Sequence, residues 1–315
     1  MRNLKKAIEI IHQANTICIA CHENPDGDAI ASLVALGRSL TKLGKDVSLL
    51  SPDGVPSNLA FLTDSQSIKT FLPPYPFDLL ILVDAESPRR LGKLQAPESK
   101  NLLILDHHPP SHDNALKIVD VKASSTAELV YEFIKKLSIP FDSQIIEAIL
   151  VGIISDTGGL RLPNTTPKTL RIVAKLMESG GSLIDIYRKL YEEREEGYIK
   201  VLGEVLLRAR RLWDGKIILS YIKASDRERY GMEEKDLEGI IDYLRVLKGW
   251  EVIFLLRETN HGVKVSIRSR FLDAGKFAKI FGGGGHKEAA GCNISLPLEE
   301  AEKKLLEELR KWMEC

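Results

Sequence analysis

Cysteine is scarce, long apolar runs are missing, and neither charge is in excess. The 315 residues include four cysteines, Cys18, Cys21, Cys292 and Cys315. Four are too few for a disulfide scaffold, so a reducing, cytoplasmic setting is expected. Cys18 and Cys21 form a C-x-x-C, but a zinc site wants a second ligand pair. The run Thr16 to Cys21 reads instead as a buried strand, in which free thiols act as small hydrophobes. The longest apolar runs, such as Leu79 to Val83, fall well short of the roughly 18 residues of a membrane span. No apolar signal core follows Met1-Arg2-Asn3-Leu4-Lys5-Lys6. Lys+Arg and Asp+Glu each total 44, whereas a protein that grips long nucleic acid by its backbone carries a basic excess. Neither a membrane nor long nucleic acid is therefore an expected partner. No internal repeat or low-complexity tract is present.

The length exceeds one ordinary core and implies two domains. Ile17–Cys21, Val47–Leu50, Leu79–Val83 and Leu102–Leu105 are continuous apolar runs of strand length. Such runs fit a mainly parallel sheet buried on both faces. Helices are expected over Leu4–Ala14, Ala29–Leu43, Ser125–Leu137, Gln144–Ser155 and from Thr166-Pro167 to about Gly180. Ser125 and Glu128 have capping-box spacing. The alternation marks an α/β, doubly wound sheet over residues 1–182. Residues 183–212 read as a helical, charged, strand-free linker. Residues 213–315 read as a smaller α/β domain, with a strand at Lys216–Tyr221, a helix at Glu233–Leu247, a hairpin around Asn260-His261-Gly262 and a helix at Leu298–Met313.

Acidic and histidine residues cluster just after the apolar runs. His22, Asp26 and Asp28 follow the first, Asp84 follows Leu79–Val83, Asp106-His107-His108 follow Leu102–Leu105, and Asp156 ends a helix. In open parallel sheets, ligands bind beyond the carboxyl ends of the strands. Burying several carboxylates together without cations is prohibitive, and some would have to protonate. Oxygen and imidazole donors without sulfur suit manganese, iron, cobalt or zinc. Two ions about 3.5–4 Å apart would clamp a phosphoryl group and activate a water. Taken singly, each residue has a plainer reading: a turn Asp, surface histidines, an Asn-Pro-Asp-Gly turn. Their joint occurrence carries the argument.

The stretch His22-Glu23-Asn24-Pro25-Asp26-Gly27-Asp28, then Asp84, Asp106-His107-His108 and Asp156-Thr157-Gly158 resemble the successive motifs of DHH phosphoesterases. Gly282-Gly283-Gly284-Gly285-His286 with Ala289-Ala290-Gly291 resembles the signature of the DHH-associated C-terminal domain. The chain is similar to the oligoribonuclease (nano-RNase) and pAp phosphatase group, which includes stand-alone cyclic di-AMP and pApA phosphodiesterases.

The resemblance implies a site in the cleft between the domains, holding two divalent ions: manganese first, with magnesium, cobalt or iron as alternatives. It gives one ion to His22, Asp26 and Asp84, and the other to Asp28, Asp84, His107 and Asp156, with Asp84 bridging. It gives His108 a phosphate-facing role, makes Asp106 an orienter of a ligand imidazole, and sends His286 to the phosphate. Gly283, Gly284 and Gly285 would present bare backbone to substrate; on the residues alone, a flexible turn is an equal reading. Lys264, Ser266, Arg268 and Arg270 alternate onto one strand face. The resemblance brings Arg268, and more weakly Arg90, to substrate. A water activated near Asp84 would attack in line, with nano-RNA, pApA, cyclic di-AMP or pAp as substrate, and a homodimer is compatible. The alternatives are a DHH-type inorganic pyrophosphatase, a RecJ-like single-strand exonuclease and, outside enzymes, a nucleotide-sensing module.

Overall fold

The computed structural model describes residues 2–72, 76–111, 115–285 and 287–313; the candidate His286 lies outside them. The chain forms two compact units, Met1–Glu193 and Arg194–Cys315.

The first unit runs α1 (Arg2–Gln13), β1 (Thr16–Ala20), α2 (Gly27–Lys42), β2 (Asp46–Leu50), β3 (Phe77–Val83), β4 (Ser99–Asp106), β5 (Leu116–Val119), α3 (Thr126–Lys136), α4 (Ser143–Asp156), α5 (Pro167–Glu178) and α6 (Leu183–Tyr187). Its five strands lie in the order β2-β1-β3-β4-β5, every pair parallel. The uniformly apolar strands are explained by burial on both faces. Ile17, Ile19, Leu79, Ile81, Leu103 and Leu105 join the core made by α2, α3 and α4. Cys18, Ala20, Leu80, Leu82 and Ile104 fill the opposite core. Both cysteines of the C-x-x-C are buried free thiols, with burial pushing each up to about 12; such thiols are inert. The half-buried strand β5 was not expected, because Leu116-Lys117-Ile118-Val119 is short and lies on the sheet edge.

Helix α4 is apolar nearly all round and buried along its length. Gly152 marks its tightest approach. A Cβ there would stand 2.4 Å from the Ala127 Cβ and 2.8 Å from Asp28 Oδ1. In an open helix, Gly→Ala gains about 1 kcal/mol; overpacking of a filled core costs about 1–3 kcal/mol. Gly152→Ala is therefore expected to lower the chemical-denaturation midpoint rather than raise it. A raised midpoint would show that the contact relaxes freely.

The expected capping box at α3 is half made. Ser125 Oγ accepts the Glu128 amide at 3.1 Å. The Glu128 carboxylate does not return to Ser125; it is taken by Ser124 and Thr169 hydroxyls, each at 2.9 Å, and by Lys168 at 3.0 Å. At α5, Thr166 and Thr169 do form the reciprocal pair, with Pro167 in the first turn.

Residues 183–212 are not strand-free. Ile186 of α6 and Leu190 of the π-helical turn Arg188–Glu192 are buried in the first unit's core. Helix α7 (Glu196–Arg208) buries Tyr198, Val201 and Val205 in the second, and Arg210–Leu212 forms strand β6.

The second unit continues with β7 (Ile217–Ile222), α8 (Ala224–Tyr230), α9 (Ile240–Leu244), β8 (Val252–Thr259), β9 (Gly262–Ser269), α10 (Ala274–Lys279), β10 (Gly284–Gly285), β11 (Ala289–Ile294) and α11 (Leu298–Met313). Strand order is β10-β11-β9-β8-β7-β6; β7 and β8 are parallel and the other pairs antiparallel. The hairpin β8–β9 closes at Thr259↔Gly262. The single helix expected at Glu233–Leu247 is broken. A 3-10 turn, Glu234–Leu237, is separated from α9 by Gly239 at φ +80°, a left-handed conformation that no α-helix continues through.

Among the described residues, no helix is long and apolar enough to cross a membrane.

Candidate metal centre

Strand order fixes where ligands converge. The chain places β2 on one side of β1 and β3 on the other, so the switch point of the sheet lies between β1 and β3. The carboxyl ends of parallel strands share one edge, and a crevice opens where the order reverses. His22 to Asp28 follow β1, Asp84 follows β3, and Asp106 ends β4 with His107 and His108 behind it.

These side chains meet. Ligand atoms of His22, Asp26 and Asp84 lie within 4.8 Å of one another, as do those of Asp28, His107 and Asp156, and those of Asp84, His107 and His108. Asp84 Oδ2 is 3.4 Å from His22 Nε2, and Oδ1 is 3.7 Å from His107 Nε2 and 3.5 Å from His108 Nδ1. His107 Nε2 is also 3.7 Å from Asp156 Oδ2. All six residues expected to hold ions thus stand in groups that could bind a cation, and Asp84 touches both sides.

Local structure aims each group. Asp26 caps α2, with Oδ1 accepting the Asp28 and Ala29 amides at 3.0 Å each. Asp84 sits at φ +55°, a conformation that Asp and Asn tolerate better than other residues with a side chain. Its backbone amide donates to Leu105 O at 3.0 Å. Fully buried Asp106 takes the His108 ring through Nδ1 at 2.7 Å and the His108 amide at 2.9 Å. Asp106 therefore orients His108, and His107 Nδ1 instead faces Ala123 O at 3.4 Å.

The electrostatics match a cation-binding donor set. Burial, then the charges of Asp84, Asp156 and Asp26, pushes the Asp28 carboxyl well above the usual range. Burial, then Asp26 and Asp84, does the same to Asp156. Asp84 goes the other way: burial opposes its charge, but the His22 hydrogen bond and the His22, His108 and His107 rings hold it below the ordinary range. Burial would depress His108, yet its bond to Asp106 and the surrounding carboxylates raise it to about 9. Crowded acids held above their usual range are a conflict that a divalent cation would relieve. Oxygen and imidazole donors suit a hard or borderline divalent ion.

The other expected residues are described within their own units. Arg90 lies in a 3-10 turn, Pro88–Leu91, after β3, with Nε 3.2 Å from Glu86 and its carbonyl accepting the Glu23 amide at 2.7 Å. Arg268 belongs to the second unit, where it meets Asp242 at two points, 2.9 and 3.2 Å. Lys264, Ser266 and Arg268 share a half-exposed strand face, and Arg270 stacks on Trp250 at 3.9 Å. Gly284 and Gly285 form edge strand β10 against β11. A Cβ on Gly283 would lie 2.2 Å from Gly291 O, and one on Gly285 2.6 Å from Ala289 O. Backbone packing alone thus demands glycine at both.

Three residues at the centre were not singled out from the sequence. Thr126 donates its hydroxyl to Asp84 Oδ1 at 2.9 Å and its amide to Asp28 Oδ2 at 2.6 Å. Ala127 gives its amide to Asp28 Oδ1 at 2.9 Å. Asn164 Nδ2 bonds Ser124 O at 2.8 Å, Asp156 O at 3.1 Å and Asp156 Oδ2 at 3.3 Å. The one available signal was the run Ser124-Ser125-Thr126, which offers more hydroxyls than one helix cap requires.

Comparison with known proteins agrees with this architecture. Residues 16–153 match the DHH family, N-terminal domain, and residues 214–314 match the DHHA1 domain. The bifunctional oligoribonuclease and PAP phosphatase NrnA of Thermus thermophilus is 33% identical over 299 residues, 94% of this chain and 89% of the relative. The protein of the same name from Bacillus subtilis is 27% identical over 91% of this chain and 92% of its own. An exopolyphosphatase-related protein from Bacteroides fragilis superposes with a TM-score of 0.88 at 26% identity, over 99% of this chain and 96% of that one. Thermus thermophilus RecJ, at 16% identity and a TM-score of 0.57 over 99% of this chain and 55% of its own, shares the fold. Both domain matches and a relative one-third identical along nearly its full length establish that this chain belongs to the DHH family, a DHH domain followed by a DHHA1 domain.

Proposed function

We propose that the chain hydrolyses phosphate esters of very small nucleotides, cutting nano-RNA and pApA to mononucleotides and pAp to AMP, with cyclic di-AMP as a further candidate. The observation that carries the reading is the pair of three-residue ligand groups, His22–Asp26–Asp84 and Asp28–His107–Asp156, joined through Asp84. The relatives named as oligoribonuclease and PAP phosphatase supply the substrate class.

The two groups would hold two divalent ions, manganese first. Bound there, such ions supply Lewis acidity toward phosphoryl oxygens and lower the pKa of water. The chain's own residues do the rest. Asp84 keeps the two groups in register. Asp106 fixes the His108 ring through Nδ1, and Nε2 is assigned to donate to a phosphoryl oxygen as charge develops. Arg268 is assigned to a substrate anion, for which its planar fork is suited; it must first exchange the Asp242 carboxylate for that anion.

The test is a parallel assay with added manganese on pApA, pAp, cyclic di-AMP, pyrophosphate and a long single-stranded oligonucleotide. Mononucleotides from pApA and AMP from pAp are expected, with pyrophosphate and the long strand left largely intact. Turnover of pyrophosphate without pApA would transfer the reading to a pyrophosphatase. Processive digestion of the long strand would transfer it to an exonuclease.

A further inference from the structure

Four of the candidate ligands come from four different places, Asp28 in α2, Asp84 just after β3, His107 just after β4 and Asp156 at the end of α4, yet one short turn touches three of them and reaches Asp156 through Asn164. Ala123 O faces His107 Nδ1 at 3.4 Å. Ser124 O accepts from Asn164 Nδ2 at 2.8 Å, and the same amide group reaches Asp156 Oδ2 at 3.3 Å. Thr126 and Ala127 amides hold the two oxygens of Asp28 at 2.6 and 2.9 Å. The Thr126 hydroxyl holds Asp84 Oδ1 at 2.9 Å. Ser124, Ser125, Thr126 and Glu128 are all buried.

The turn is itself braced. Glu128 is 1% exposed, so its charge must be compensated. The Ser124 and Thr169 hydroxyls, at 2.9 Å each, and Lys168, at 3.0 Å, compensate it. A carboxylate buried behind a turn, with donors from α5 on one side and the turn on the other, fixes where the turn can sit.

We propose that Ala123–Glu128 is the template that sets the spacing of the metal ligands, with Thr126 as its principal positioning residue. Thr126 reaches Asp84 with its hydroxyl while its own amide holds Asp28, so it couples the carboxylate shared by both ligand groups to a carboxylate of one of them. Its hydroxyl donates to Asp84 Oδ1 and so sets the direction of the remaining lone pairs. Groups that orient metal ligands in this way change affinity by about 10–100-fold when removed.

The inference rests on the two-ion reading above, and the experiment separates the two. Metal-free wild type, Thr126→Val and Thr126→Ser are titrated with Mn2+ by calorimetry and by the paramagnetic resonance of free Mn2+. Thermal midpoints are recorded in chelator. The valine variant is expected to lose about 10–100-fold in manganese affinity, with a chelator midpoint close to wild type. The serine variant, which restores the hydroxyl, is expected to recover wild-type affinity. Wild-type affinity in the valine variant overturns the inference, as does a lowered chelator midpoint with affinity unchanged, the mark of a purely structural residue. If the valine variant does not fold, Thr126→Ala is read against the same outcomes. A wild type that binds no manganese overturns the two-ion reading and this inference with it.

Discussion

Asp84→Asn is expected to cut metal-dependent phosphoester turnover by about 10³-fold or more while the protein stays folded. The substitution keeps the shape, and asparagine, like aspartate, accepts the left-handed backbone at φ +55°. Its side-chain oxygen can still accept from Thr126. What is lost is the one negative charge placed between His22 on one side and His107 and His108 on the other. Lewis-acid stabilisation is worth several kcal/mol, and each 1.36 kcal/mol is a factor of ten in rate, so losing most of it gives roughly the stated factor. Hydrolysis of pApA under manganese and far-ultraviolet circular dichroism are the two measurements. A folded variant with wild-type turnover would remove Asp84 from the centre of the reading.

Manganese is expected to raise the thermal midpoint of the first unit by about 5–10 °C over the protein in chelator, and the rise is expected to grow with pH. At about 100 times its dissociation constant, an ion stabilises the folded state by about 2.7 kcal/mol, and about 2–4 °C per kcal/mol applies to a unit of this size. The pH dependence follows from the direction of each shift. Asp28, Asp156, His22 and His108 are all raised in the folded, metal-free protein, His108 to about 9. Their stabilisation is complete below the unfolded values, about 4 for the acids and about 6.5 for the imidazoles. It is lost as pH climbs through the raised folded values. Asp84, held low, contributes in the opposite sense, and its contribution disappears only in acid. The metal-free midpoint should therefore decline from pH 6 to 9, while the metal-loaded midpoint, whose ligands are already deprotonated, declines less. Calorimetry at three pH values in manganese and in chelator reads this directly. Equal midpoints in both media, or a gain that shrinks as pH rises, would count against a metal site built on these residues.

What could be read from the sequence was whatever repeats along it. The apolar runs around Ile17, Leu79 and Leu102 gave the central strands because residues buried on both faces leave an unbroken signal. The acidic and histidine residues after them could be grouped because strand ends in a parallel sheet share an edge. Features set by contacts between distant segments were not legible. Edge strand β5 is half-buried and resembles a loop. The helix at Glu233–Leu247 had good periodicity, but Gly239 adopts φ +80° and breaks it. Glu128 had capping spacing, yet Ser124, Thr169 and Lys168 hold its carboxylate, and no local rule anticipates a partner 41 positions away. Thr126 was hidden for the same reason: Asp84 and Asp28 are far from it in the chain and adjacent only once the sheet is ordered.

The strand order carries a kinetic consequence. Ile17 pairs with Leu79, and β4 then adds beyond β3, so closing the sheet spends the loop entropy of long segments before any non-local pairing compensates it. A cage whose donors come from positions 22 through 156 cannot assemble on a partly zipped sheet. An ion in solution would therefore find no organised receptor early in refolding, and its capture would mark the end of the process rather than its nucleus.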